Sequence, residues 1–166
     1  MKRIDERGLR LCKLQGEVFR LSAEVCPSGS AVFIRRFMRS DIARRFDTGT
    51  IENESISPAA LIRELDTAYQ AKAYGHVKYA EEELYWTGYL YRYWAYTDQT
   101  SSKSLYKVIQ GPELRKLYYP YHSLDPAQAI ERIKEAKGIP DLDPIQRGVM
   151  VMRNVRNKFD INTCYK

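Results

Sequence analysis

Two stretches of this 166-residue chain match two later stretches in the same order, and that repetition constrains the fold more than any single motif. Residues 16–46 lie over residues 88–118 without a gap at an offset of 72. Residues 56–65 lie over residues 124–133 at an offset of 68, so the loop between the blocks differs by four residues. The first block pairs Gly16 with Gly88, Phe19 with Tyr91, Arg20 with Arg92, Ser30 with Ser102, Phe37 with Ile109 and Ile42 with Leu114. The second pairs Pro58 with Pro126, Ile62 with Ile130 and Leu65 with Ile133. Any two amphipathic helices share a 3.6-residue pattern, so similar apolar spacing counts for little by itself. The conserved order of two blocks counts for more, and both a duplication and a coincidence of helical patterns stay open.

The periodicity is helical throughout. Leu11, Leu14, Val18, Leu21 and Val25 recur at three- and four-residue steps and predict an amphipathic helix over residues 4–25. Ser30 is read as the N-cap of a short helix to Met38, and Ser40 or Asp41 as the start of another that ends at Gly49. Ser57-Pro58 combines an N-cap with proline at the first helical position and opens a helix to about Gln70. The second half repeats this order. A helix starts near Ala80, Ser101 or Ser102 caps a short one to Gln110, and Gly111-Pro112 opens another through Tyr118. YPYH breaks that helix, and Asp125-Pro126 opens the last one, which stops at Lys137-Gly138. The expected fold is all-α: two tandem helical repeats (residues 4–70 and 80–138), each loosely helix-turn-helix-like, packed as one compact domain over residues 1–138. Residues 139–166 read as an irregular tail, with a short strand or helix over 149–155.

An apolar fraction of 44% supplies ample core, yet no run of about 18 apolar residues exists to span a membrane. The first thirteen residues carry acids and lack the apolar stretch of a secretory signal. Cys12, Cys26 and Cys164 are odd in number and widely spaced, which fits reduced thiols in a cytoplasmic protein and no metal site; Cys12 and Cys26 read as small buried hydrophobes. No cofactor-binding motif is present, so no cofactor is expected.

Charge is distributed in a telling way. The net charge of +6 divides into +2 for each of residues 1–70, 71–138 and 139–166, with no basic arm. Within the repeats, however, it gathers on the short helices. Arg35, Arg36, Arg39, Arg44 and Arg45 stand against one acid in residues 28–46, and Lys103, Lys107, Arg115 and Lys116 against one in residues 100–118. These nine cations are candidates for DNA phosphates or an acidic partner, although a helix also needs polar residues on its wet face. Tyr85, Trp86, Tyr89, Tyr93, Trp94 and Tyr96 crowd one helix around its whole circumference, so they cannot all enter one core face. Such amphipathic aromatics suit a protein interface, and a central helix buried on most sides accounts for them equally well. Arg115, followed by six residues and then His122, loosely resembles the Arg-to-His spacing of HEPN-type ribonucleases, in which His would transfer a proton and Arg stabilise charge; Pro120 between them breaks the shared helical face.

The strings GEVFRLSAE, SAVFIRRFMRSDIARR, ELYWTGYLYRYWAYT and YPYHSLDPAQAIERI resemble those of a small bacterial helical family. The resemblance covers residues 9–138. Members of that family tend to be encoded beside toxin–antitoxin-type modules, and some are labelled antitoxins. The resemblance implies a non-enzymatic, neutralising or regulatory binding protein with a cognate toxin-like partner. It carries over no catalytic residue. The alternatives are a DNA-binding regulator with two helix-turn-helix-like units and, behind it, the ribonuclease.

Overall fold

Local capping chemistry sets most helix starts. In the computed structural model, which describes residues 2–51, 56–70 and 73–139, the elements run α1 (Glu6–Val25), α2 (Ser30–Arg39), α3 (Asp41–Thr48), α4 (Pro58–Ala68), α5 (Glu81–Thr97), α6 (Ser102–Val108), α7 (Gly111–Lys116), α8 (Tyr118–Tyr121) and α9 (Pro126–Ala136). All regular structure among the described residues is helical. Asp5, Ser40, Ser57, Ser101 and Asp125 each accept a hydrogen bond from a backbone N–H of the first turn that follows. Pro58 and Pro126 sit at the start of α4 and α9, where a missing N–H costs nothing. Gly49 ends α3 with φ +70°, a conformation in which a side chain would be strained.

Three local readings are corrected. Ser30 is the first residue of α2 and not its cap, because Gly29 holds that position and the Ser30 hydroxyl accepts instead from the Tyr79 N–H at 3.0 Å. The helix opened by Gly111-Pro112 stops at Lys116 instead of running through Tyr118, and the YPYH break is partly helical, since Tyr118–Tyr121 form the short α8 with Pro120 in its first turn. The helix α6 stops at Val108, two residues short of the expected Gln110, where Ile109 turns extended and enters the core. The expected element over 149–155, like most of the tail, lies outside the described residues.

The two long helices α1 and α5 pack along each other and form the spine. Their closest approach is built on glycine. A Cβ at Gly88 would stand 2.7 Å from the Gln15 carbonyl oxygen and 2.8 Å from Phe19, and one at Gly16 would stand 2.9 Å from the Tyr85 ring. Helix α4 covers α1, and α9 covers α5. The short helices interlock at one side, α2 against α6 and α7, α3 against α6. Phe19, Phe33, Phe37 and Phe46 cluster there, with ring centroids 5.0–6.1 Å apart. The extended segment before α5 lies across the end of α1. Gly29 and Ser30 donate to the Tyr74 and Val77 carbonyls, and the Lys78 ammonium donates to those of Ser22 and Cys26. Lys78 thereby supplies the positive charge that α1 lacks in its own last turn.

Candidate functional site

The aromatic helix α5 resolves into two sets. Tyr91 and Trp94 are buried; the Tyr91 hydroxyl donates to the Ile109 carbonyl at 2.7 Å, and the Trp94 indole donates to Asp98 at 3.0 Å. Trp94 is therefore a core residue, in contrast to its expected place in an interface. Tyr85, Tyr89 and Tyr93 recur every four residues and form one half-buried stripe, with successive centroids 6.1 and 6.4 Å apart. Burial pushes all three phenols up, that of Tyr89 to about 12. Tyr96 borders this stripe and donates to both carboxylate oxygens of Asp5, at 2.7 and 2.8 Å. Tyr91 stands about 200° around the helix from Tyr89, so the stripe faces away from the side of α5 that meets α6.

One end of the stripe opens into a cleft of about 510 Å³ lined by Glu17, Arg20, Glu81, Tyr85, Trp86 and Tyr118, among others. Trp86 meets Tyr118 edge to face at 5.7 Å, and His122 stacks on Tyr118 at 4.7 Å. His122 reaches the Tyr118 and Tyr119 carbonyls through Nδ1. Arg115 lies elsewhere, 2.7 Å from Glu83 and over the Tyr79 ring at 4.3 Å. The two residues share no contact among those described.

The nine cations also divide. Arg44 pairs with Asp41 at 3.1 Å, Arg45 with Glu64 at 2.6 Å and Arg115 with Glu83. Arg36 lies over the Tyr69 ring at 5.7 Å. Lys116 borders a smaller cleft of about 410 Å³ beside His76 and Pro112. Arg35, Arg39, Lys103 and Lys107 are exposed on α2 and α6 and make no ion pair among those described.

A polar cluster that sequence reasoning missed lies under these helices. Arg92, 1% exposed, donates from Nε to Gln15 at 2.9 Å, from Nη1 to Asp47 at 2.8 Å and from Nη2 to the Ser102 hydroxyl at 2.6 Å. Asp47 in turn accepts from the Ser102 N–H and hydroxyl, so its carboxylate holds the first turn of α6. One guanidinium thus joins α1, α3, α5 and α6. Burial pushes its pKa down while Asp47 supports its charge. The signal was present in the sequence: Arg92 is the one charged residue between Glu83 and Asp98, in a helix too apolar to be wet on all sides.

Cys12 and Cys26 are buried, and burial pushes both thiols up to about 12. At pH 8 the thiolate fraction is then roughly one in ten thousand. In a Cys164→Ser background, native protein is expected to react with Ellman's reagent orders of magnitude more slowly than protein in urea. Rapid titration of both thiols in the native state would contradict the buried placement.

No helix among the described residues is long and apolar enough to cross a membrane, and no group of three His, Cys, Asp or Glu residues there could hold a metal ion. Comparison with protein-family models, curated proteins and solved structures finds no match to the chain.

Proposed function

We propose that this chain is a non-enzymatic binding protein of the antitoxin type, which acts in the cytoplasm by gripping a cognate protein through the outer face of α5. The carrying observation is the stripe of Tyr85, Tyr89 and Tyr93, continuous with the Trp86–Tyr118 cleft and half-buried by the chain's own helices. Tyrosine and tryptophan anchored in this way present large contact area with few freely rotating bonds, which is why such residues dominate binding energy at protein interfaces. DNA contact by the short basic helices is the second part of the proposal.

The same proposal treats the chain as a duplicated helical unit. Several observations support it. Ser30 and Ser102 begin α2 and α6, and Pro58 and Pro126 begin α4 and α9, each at the matched position. Burial also matches, with Phe19 and Tyr91, Phe37 and Ile109, Ile62 and Ile130, and Leu65 and Ile133 all in the core. The contacts of α1 with α4 and of α2 with α7 have counterparts in α5 with α9 and α6 with α3.

Co-expression with the product of the adjacent gene tests the partner reading. The two proteins are expected to co-purify, and Tyr89→Ala to weaken the complex by about 30-fold, the loss typical of an interface hot spot. Thermal unfolding of the variant is the check that it stays folded. If nothing is retained, or Tyr89→Ala binds as tightly as the parent, the stripe is not the interface.

A further inference from the structure

Three of the nine cations are in ion pairs, Arg36 lies over Tyr69 and Lys116 stands on α7, which leaves four that fall on one seam. Arg35 and Arg39 are four residues apart on α2, as are Lys103 and Lys107 on α6, and the two helices pack together. Tyr106 lies between them: Arg39 sits over its ring at 5.7 Å, and Arg35 and Arg39 are the charged groups that act on its hydroxyl, with no carboxylate among them. Lys103 precedes Tyr106 by three residues and so lies beside it on the helix surface. Arg35 and Lys107 occupy matched positions of the two blocks, so each half carries a cation at that position of its short helix.

Four cations with no carboxylate partner repel one another, and that arrangement is relieved by a polyanion. Each pair rises about 6 Å along its helix, giving two short rows of positive charge on neighbouring helices. A nucleic-acid duplex presents matching rows, with one negative charge per roughly 3.4 Å of each strand. We propose that the α2–α6 seam binds the phosphate backbone of duplex DNA, independent of sequence, through Arg35, Arg39, Lys103 and Lys107. The proposal sharpens the DNA half of the reading above and is independent of its protein half, because Tyr106 meets Tyr91, at 6.4 Å and a tilt of 40°, on the side of α5 away from the tyrosine stripe. DNA and a protein partner can therefore occupy the chain together.

Equilibrium binding of the purified full chain to a fluorescent 20-base-pair duplex, measured over a salt series, tests this. Four phosphate contacts predict a slope of about −3.6 for log affinity against log salt, or a loss of roughly 150-fold between 50 and 200 mM. The double variant Lys103→Gln/Lys107→Gln alters two exposed side chains with no partner, and circular dichroism verifies its fold. Its slope is expected to fall to about −1.8. A parent-like slope in that variant would overturn the proposal, as would the absence of duplex binding at 50 mM salt. If the duplex is not bound while the same substitutions release the adjacent gene's product, the seam serves an acidic protein surface and the DNA assignment is wrong. The tyrosine variant and the lysine variant read different partners, so either reading can fail alone.

Discussion

Asp47→Ala is expected to be among the most damaging single substitutions in this protein, with a loss of about 3–5 kcal/mol of folding stability. The reason is asymmetry of exposure. The Arg92 side chain is 1% exposed and that of Asp47 15%. Removing Asp47 leaves a nearly buried guanidinium without its counter-charge, at the floor of a cleft of about 380 Å³, and also removes the acceptor for the Ser102 N–H at the start of α6. Removing Arg92 strands a carboxylate that retains some access to water and two bonds from Ser102, so Arg92→Met is expected to cost less. Its methionine also keeps part of the contact with Phe46, over whose ring the guanidinium lies at 5.2 Å. Replacing both residues together should cost less than the two single losses added, since no charge is left buried alone. Denaturant unfolding measures all three as shifts in midpoint at constant slope. Losses below about 1 kcal/mol for Asp47→Ala, or strict additivity in the double variant, would show that the cluster does not hold the four helices together.

That cluster also shows where sequence reading stops. Serine, aspartate and proline at helix starts act on backbone groups within three residues, so Ser40, Ser57-Pro58 and Asp125-Pro126 announce their helices without any knowledge of the fold. Apolar periodicity likewise marks Val18, Phe33, Phe37 and Ile62 as core. The misreadings have partners far away in sequence. The Ser30 hydroxyl is turned from capping by Tyr79, 49 residues on. Trp94 and Tyr89 are both aromatic residues on one helix, and only the placement of α1, α6 and α9 around α5 decides which is core and which is half exposed. Among the nine cations, the carboxylates that engage Arg45 and Arg115 come from α4 and α5, 19 and 32 residues distant. Charge counting finds the basic helices, and only the packing separates paired cations from unpaired ones.

Gly88 and Gly16 are matched glycines on the two long helices, and their substitutions are expected to differ sharply. At Gly88 the added methyl meets the Gln15 carbonyl oxygen, which belongs to the backbone of α1 and cannot swing aside. Relief requires the spine helices to separate. Alanine's better helix propensity offsets about 1 kcal/mol of that cost, so Gly88→Ala should lose about 1–2 kcal/mol. Gly88→Leu offers no such relief and is expected to prevent folding, because a branched side chain cannot lie between helices already in backbone contact. At Gly16 the first obstacle is the Tyr85 ring, at 2.9 Å, with the Tyr85 carbonyl at 3.2 Å. A half-exposed ring can rotate outward, so Gly16→Ala should change stability by less than about 1 kcal/mol. It will, however, displace the first tyrosine of the stripe. Thermal unfolding combined with co-purification of the adjacent gene's product separates these effects. Gly16→Ala should keep the fold and weaken the complex, whereas Gly88→Ala should lower the melting temperature and leave the stripe's own geometry largely in place. Equal destabilisation by the two alanines would mean that Tyr85 is held as rigidly as backbone, and the stripe would then be an extension of the core instead of a surface for a partner.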